Sequence, residues 1–379
     1  MSSKTMRKLI SLICLAVCSS PGAVFAAYDE LNLIEGVTSI SQSAYDLHML
    51  VLWVVTIVGV GVFGVIIYSL IYHRKSKGAV AAQFHESTTV EVIWTVIPLI
   101  ILVLIAIPAT TALIELEDAS NSDITIKVTG WQWKWQYEYI GEGVNFFSNL
   151  DAKSNEARQL NSGIDVTKVE HYLLDVDNPV VIPVGKKVRF LATSNDVIHA
   201  WWVPELGMKR DAIPGYINEL WTKVDKPGVY RGQCAELCGK DHGFMPIVVK
   251  AVSDEDYSKW IKGQKMAMAE AAAGSEKTWT KDDLMKRGQE VYNTSCAACH
   301  QPTGAGIPGV FPGLIGSPIT IGDAAGHIDI VLNGKAGTAM QAFAAQLNDA
   351  DLAAVITFER NSWGNSASVV QPSDIKAAR

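Results

Sequence analysis

Residues 233–246 read Q-C-A-E-L-C-G-K-D-H-G-F-M-P. Two cysteines, Cys234 and Cys238, stand four apart; His242 follows four later and Met245 three after that. Two thiolates, an imidazole and a thioether make a soft ligand set, which selects copper, and the absence of clustered carboxylates argues against magnesium, calcium or manganese. Zinc also takes Cys and His, although a structural zinc has little use for Met245. A disulfide between Cys234 and Cys238, with an incidental histidine and methionine, is the remaining reading. A further histidine, His199, stands 35 residues before Cys234 at the end of an apolar, strand-like stretch, S-N-D-V-I-H-A-W-W-V-P. One ligand from a distant strand end and the rest from a late loop is how a β-sandwich copper protein builds its site, here with two thiolates where a blue-copper site has one. Two bridging thiolates can hold two coppers.

The run H-A-W-W-V-P-E-L-G-M-K-R-D-A-I-P-G over 199–215, followed by C-A-E-L-C-G-K-D-H-G-F-M-P over 234–246, resembles the binuclear CuA domain of cytochrome c oxidase subunit II. The resemblance implies that His199, Cys234, Cys238, His242 and Met245 are copper ligands and that Glu236 adds its backbone carbonyl. It also implies that the Glu236 side chain faces a magnesium shared with subunit I.

The rest of the chain fits a membrane-anchored, multidomain protein. Its 379 residues predict two or three domains, and 49% hydrophobic residues exceed what a soluble protein of average composition needs. A net charge of −7 gives no hint of nucleic acid. The six cysteines form three close pairs, each needing its own reading. Residues 1–26 carry Lys4, Arg7 and Lys8, then an apolar run, then V-F-A-A, the pattern of a secretory signal peptide cleaved after Ala26. Cys14 and Cys18 would leave with it; lipidation at Cys18 is the alternative, with Val17 bulkier than the residue usual before such a cysteine.

Residues 49–72 and 92–114 are free of charge, and each exceeds the ~20 residues a helix needs to cross the hydrocarbon core. Arg74, Lys75 and Lys77 lie between them, whereas Asp29, Glu30, Glu35 and Asp46 precede the first. The positive-inside rule puts the short loop in the cytoplasm and both ends of the mature chain outside. The expected order is a periplasmic N-terminal segment (27–46), a transmembrane helical hairpin (47–115) and an all-β, cupredoxin-like Greek-key domain (123–255). Glu91, at the start of the second helix, is explained equally by helix-dipole chemistry and by the resemblance, which sets the matching glutamate at the mouth of a proton path into subunit I.

Period-two alternation begins at Ile124, and read as one strand it puts Trp131, Trp133, Trp135, Tyr137 and Tyr139 on one face and Gln132, Lys134, Gln136 and Glu138 on the other. By resemblance, Trp133 accepts electrons from cytochrome c near the copper. Residues 145–168 read as a polar loop, and strands are expected at 171–174, 180–183, 187–193 and 246–252, with a K-P-G turn at 226–228. His171 reads as structural. Residues 256–280 read as a helical exit and linker, then an all-α class I cytochrome c domain (281–366) and a C-terminal tail (367–379).

Within that last domain Cys296, Cys299 and His300 spell C-x-x-C-H, the c-type haem attachment signature: two thioethers and a proximal histidine. A zinc or thioredoxin-like reading of the motif lacks the surrounding helix, Gly/Pro loop and domain length. The sixth ligand is Met340 or His327, and Met340, in a flexible loop before a helix over 348–362, is preferred. A thioether ligand raises the haem potential and suits a carrier feeding a high-potential acceptor.

As a whole the chain resembles subunit II of a caa-type oxidase. That implies electron flow from a donor, such as cytochrome c or another periplasmic carrier, through haem c and CuA to subunit I, which reduces O2 and pumps protons beside subunit III in a bacterial inner membrane. A quinol oxidase subunit II would share hairpin and barrel but lack the copper ligands. A stand-alone electron carrier would have no use for the hairpin.

Overall fold

The computed structural model describes residues 32–159 and 162–379; the expected signal peptide, with Cys14 and Cys18, lies outside the described residues. The described residues divide into two compact units, one made of 32–35 and 45–83, the other of 36–44 and the described residues from 84 onward.

The first unit is mostly helix α1, Ser39–Tyr72, whose first turn belongs to the second unit. His48 is tied to Asn32, Nε2 to Oδ1, at 2.7 Å. The helix stops before the basic run Arg74 to Lys77, where Gly78 takes a left-handed conformation. Helix α2, Thr88–Glu117, opens the second unit after its break at residue 44; Pro98 and Pro108 are inside it and Glu91 is in its first turn. Both helices are long and apolar enough to cross a membrane, and their apolar side chains stand exposed along their length. The end of α2 is pinned to the strand-rich region of the chain: the Glu115 carbonyl accepts from Trp221 Nε1 at 3.1 Å, and Glu117 pairs with Arg210 at 2.7 Å.

Among the described residues ten strands then build two five-stranded sheets. They are β1 (Ile124–Trp131), β2 (Lys134–Tyr139), β3 (Val144–Ser148), β4 (Val180–Pro183), β5 (Lys187–Ser194), β6 (His199–Val203), β7 (Met208–Ala212), β8 (Asn218–Lys223), β9 (Gly228–Cys234) and β10 (Pro246–Val252). One sheet runs β3-β2-β1-β5-β8 and the other β4-β10-β9-β6-β7. Alternation puts Val188, Phe190 and Ala192 of β5 wholly inside, against Trp201, Ile247 and Val249 of the facing sheet. This is the expected sandwich, and the strands expected at 180–183, 187–193 and 246–252 are present.

The aromatic run departs from expectation. A two-residue turn at Gln132 and Trp133 folds it into a hairpin in which Trp131 pairs with Lys134 and Gly130 with Trp135. Such a turn inverts the parity of the alternation, because a one-residue change of register exchanges the faces of a strand. Trp135, Tyr137 and Tyr139 enter the core, whereas Trp131 lies on the opposite face with its Nε1 donating to Gln136 Oε1 at 3.1 Å. The polar stretch 145–168 is also more ordered than a loop: it holds most of β3 and helix α3, Ala152–Ala157, capped by Asp151. Residues 171–174 form turns and not a strand, with His171 and Leu173 at positive φ.

Helix α4, Asp254–Ser275, capped by the Ser253 side chain, occupies most of the stretch read as an exit and linker. The C-terminal region is helical: α5 (Lys281–Ser295), α6 (Ala297–His300), α7 (Pro318–Ile321), α8 (Ala324–Asn333), α9 (Asp349–Asn361) and α10 (Pro372–Ala378). Thr280 and Asn348 cap α5 and α9 through their side chains, as the [ST]-or-Asn-then-acid spacing requires. Helices α5 and α9 cross at Gly288, where a Cβ would come within 2.1 Å of the Ala354 carbonyl oxygen. Tyr292, Phe358 and Trp363 pack ring to ring beside the crossing. Residues 367–379 are no loose tail, since Val370 and Ile375 are buried in the same core.

The crossing has no room for a methyl group, so Gly288→Ala should cost about 1–3 kcal/mol, the scale of overpacking. Thermal unfolding of the C-terminal helical region should then begin at lower temperature than in the parent chain; an unchanged melting curve would show that the helices are not held at this distance.

Candidate metal centre

Two elements bring the sulfur and nitrogen donors together. Strand β6 starts at His199, which is fully buried, and β9 ends at Cys234, paired through Trp201. The loop after Cys234 returns through Cys238, a single turn at His242–Phe244 and Met245 into β10. Cys234 Sγ lies 3.9 Å from Cys238 Sγ and 3.9 Å from His199 Nδ1. Cys238 Sγ lies 3.5 Å from both His242 Nδ1 and Met245 Sδ, and the Glu236 carbonyl oxygen is 3.3 Å from Cys234 Sγ. A disulfide needs sulfurs at ~2.05 Å, so the pair is not one; all four cysteines among the described residues are free. The expected ligands thus converge on one point. Glu236 itself is exposed, and Glu91, on α2, is exposed far along the chain from this loop.

Electrostatics fit a cation at that point. The contact with the Cys238 sulfur holds the Cys234 thiol well below the usual thiol range, against its burial. The same contact, with burial and the charge on Cys234, pushes Cys238 up. Two adjacent anionic sulfurs repel, so one proton stays between them until a cation replaces it. A buried pair of sulfurs with an imidazole and a thioether is a donor set for copper.

Residues outside the motif hold the donors in place. Asp196 Oδ1 is 2.8 Å from His199 Nε2, which turns Nδ1 toward the sulfurs, the usual carboxylate support of a ligating histidine. Burial would lower the His199 pKa, but Asp196 and Cys234 outweigh it and raise it. Asp196 is fixed by the backbone N–H groups of Gln132 and Val197. Gly130 lies against the imidazole: a Cβ there would sit 2.6 Å from His199 Cδ2. The Cys238 carbonyl accepts from Trp133 Nε1 at 3.1 Å and from Gln132 Nε2 at 2.8 Å, so the turn of the β1–β2 hairpin grips the ligand loop. Of these, only Trp133 was expected. Asp196 had a readable signal, a carboxylate three residues before a candidate ligand; Gly130 and Gln132 had none, because their roles arise from a hairpin in place of a continuous strand.

The C-x-x-C-H segment closes α5 and forms α6. His300 Nδ1 is 2.9 Å from the Pro312 carbonyl, which leaves Nε2 for an axial bond. Cys296, Leu314 and Met340 pack, half-buried, on the same helical core. His327 is buried in α8 with Nε2 bonded to Glu359 at 2.8 Å, engaged within the helix packing. The thiols of Cys296 and Cys299 and the imidazole of His300 suit a covalently attached haem, and Met340 offers a thioether on the same core. Cys299 and Trp133 line one cleft, together with Lys134 and Asp241, and Lys240 Nζ donates to the Ala298 carbonyl at 3.2 Å. The haem-attachment segment therefore abuts the loop that carries Cys238.

Successive regions of the chain also match known protein families. The family described as cytochrome c oxidase subunit II, transmembrane domain, matches residues 26–111, and its periplasmic domain matches 124–252. A third family, described as cytochrome c oxidase, cbb3-type, subunit III, matches residues 283–358. A probable cytochrome c oxidase subunit 2 of Rickettsia felis is 40% identical over 71% of this chain and 83% of its own. That of Rickettsia bellii is 39% identical over 70% of this chain and 95% of its own. The crystal structure of the periplasmic domain of subunit II of cytochrome oxidase from Bradyrhizobium japonicum is 41% identical, with a TM-score of 0.34 over 39% of this chain and 98% of that one. The chain belongs to the cytochrome c oxidase subunit II family, with a cytochrome c domain fused behind the copper-type domain.

Proposed function

We propose that copper is held as a binuclear centre by His199, Cys234, Cys238, His242 and Met245 with the Glu236 carbonyl, and that haem c is held by Cys296, Cys299, His300 and Met340. When bound, the two cofactors supply one-electron transfer, from a donor such as cytochrome c or another periplasmic carrier to the haem-copper subunit I that reduces O2. The observation that carries this reading is the abutment of the haem-attachment segment on the Cys238 loop, across the cleft shared by Trp133 and Cys299.

The protein's part is to fix donors before an electron arrives. Asp196 holds the imidazole, Gln132 and Trp133 hold the Cys238 carbonyl, and both sheets hold the strands that end at the site. A site so held has little to rearrange on a change of charge. Fusion makes delivery intramolecular, at an effective concentration set by the tether and not by diffusion. Trp133, hydrogen-bonded to the ligand loop and bordering the seam, is assigned to electron transfer.

The domain limits given by the sequence, 47–115, 123–255 and 281–366, are part of this reading, as are a bacterial inner-membrane location with periplasmic termini and a subunit III partner. The exposed Glu236 side chain, beside the copper loop, is assigned to a magnesium shared with subunit I. Glu91, exposed in the first turn of α2, is assigned to the proton-path entrance.

Three variants test the centre. His199→Ala should abolish transfer from copper to subunit I while haem c remains reducible; unchanged turnover would sink the copper assignment. Asp196→Ala should lower copper affinity or activity by about 10–100-fold, the scale of losing a ligand's hydrogen-bonded support, as read by copper retained on dialysis; full retention would count against its orienting role. Gly130→Ala, whose Cβ would press on the His199 ring carbons and displace the imidazole, should leave the strands paired and reduce copper content. Full copper content in that variant would mean that His199 is free to move aside.

A further inference from the structure

The seam between sandwich and C-terminal helices carries a contact that the cofactor assignments do not use. Gln341 directly follows Met340, and its Nε2 donates to the Gln132 carbonyl at 2.8 Å. Its Oε1 accepts from Gln346 Nε2 at 2.9 Å, and Gln346, itself buried, also donates to the Ala342 carbonyl at 2.6 Å. The amide of Gln341 is thus oriented from within its own loop, with its N–H aimed across the seam. The Gln132 carbonyl belongs to the peptide bond that enters Trp133, and Trp133 Nε1 donates in turn to Cys238 O at 3.1 Å. Resting on the cofactor reading above, we propose that Gln341 is a positioning residue that couples the Met340 loop to the Trp133 turn and sets the route of electrons from haem c to copper.

Between Met340 and Cys238 this route has two non-covalent junctions, both hydrogen bonds, and is otherwise covalent. Lys240 offers a rival, since its ammonium meets Ala298 O at 3.2 Å. That rival joins neither axial ligand directly and passes along a flexible saturated side chain. Beside Gln341, Lys134 is buried with its ammonium 4.9 Å from the Phe147 ring and 5.5 Å from the Phe343 ring. Burial there pushes the Lys134 ammonium down to about 8. Hydrogen bonds in such surroundings are stronger than in water. With haem c on Cys296, Cys299 and His300 and copper on the Cys234–Met245 loop, the pair would supply a one-electron transfer, the haem giving up the one electron that the copper site takes. The Gln341 amide keeps both of its protons.

The test uses the intact complex carrying Gln341→Leu, which removes the amide, or Gln341→Glu, which keeps the shape and the acceptor but not the donor. Lys240→Met is the comparison. Haem c is reduced by a light flash and copper reduction is followed; amide hydrogen exchange of residues 335–346 is read in the same complexes and after copper depletion. Both Gln341 variants should keep the haem–methionine absorption band and full copper content. They should exchange faster over 335–346, with or without copper, and slow the transfer by about tenfold or more, the scale on which small misplacements act. Lys240→Met should slow it less. An unchanged rate and exchange overturns the proposal, as does a Lys240→Met loss equal to that of Gln341→Leu, or a slowing that appears only where methionine ligation is lost. Failure of the underlying cofactor reading would show separately, as a parent complex lacking copper or haem on this chain.

Discussion

Two sulfur atoms 3.9 Å apart, both buried, set the constraint on which the rest of the structure depends. Burial and their mutual repulsion oppose ionisation of both at once: the contact draws one thiol down and pushes the other up. Only a cation lets both ionise, and the imidazole and thioether around them choose a soft one. The surrounding fold serves that requirement. The sandwich supplies two strand ends, β6 and β9, at one point; the hairpin turn at Gln132 and Trp133 grips the loop from the other sheet; and Asp196 fixes the face that His199 presents.

The sequence carried the donors because their chemistry is rare and their spacing is local: four, four and three residues separate Cys234, Cys238, His242 and Met245. Likewise C-x-x-C-H marks haem attachment with no need of tertiary information. The two membrane helices were legible from length and lack of charge. What failed was register. The run from Trp131 to Tyr139 alternates so regularly that nothing in it marks the turn at Gln132 and Trp133, and that turn exchanges the face of Trp131. The supports at Gly130, Gln132 and Gln341 depend on that turn and on packing between residues as much as 209 positions apart, which no local pattern encodes.

Fusion adds a second constraint. A soluble carrier must find the copper domain by diffusion and leave again, whereas here the partner face is part of the same chain. The contacts across the seam are few and polar, with Lys134 held between two rings and Gln341 and Lys240 each donating to a backbone carbonyl. Carbonyl acceptors on fixed backbone define an orientation without large buried area, which suits a contact whose purpose is alignment. The anchor at the base of the sandwich, through Trp221 and Arg210, ties the same domain to the end of the membrane-length helix α2.

The most direct test of the account is oxygen uptake by the complex purified in mild detergent, with copper and covalent haem counted in the same sample. The expected result is uptake driven by reduced cytochrome c, copper in excess of the single copper of subunit I, and haem c still attached to this chain. Uptake from quinol alone, or copper missing from this chain, would contradict it.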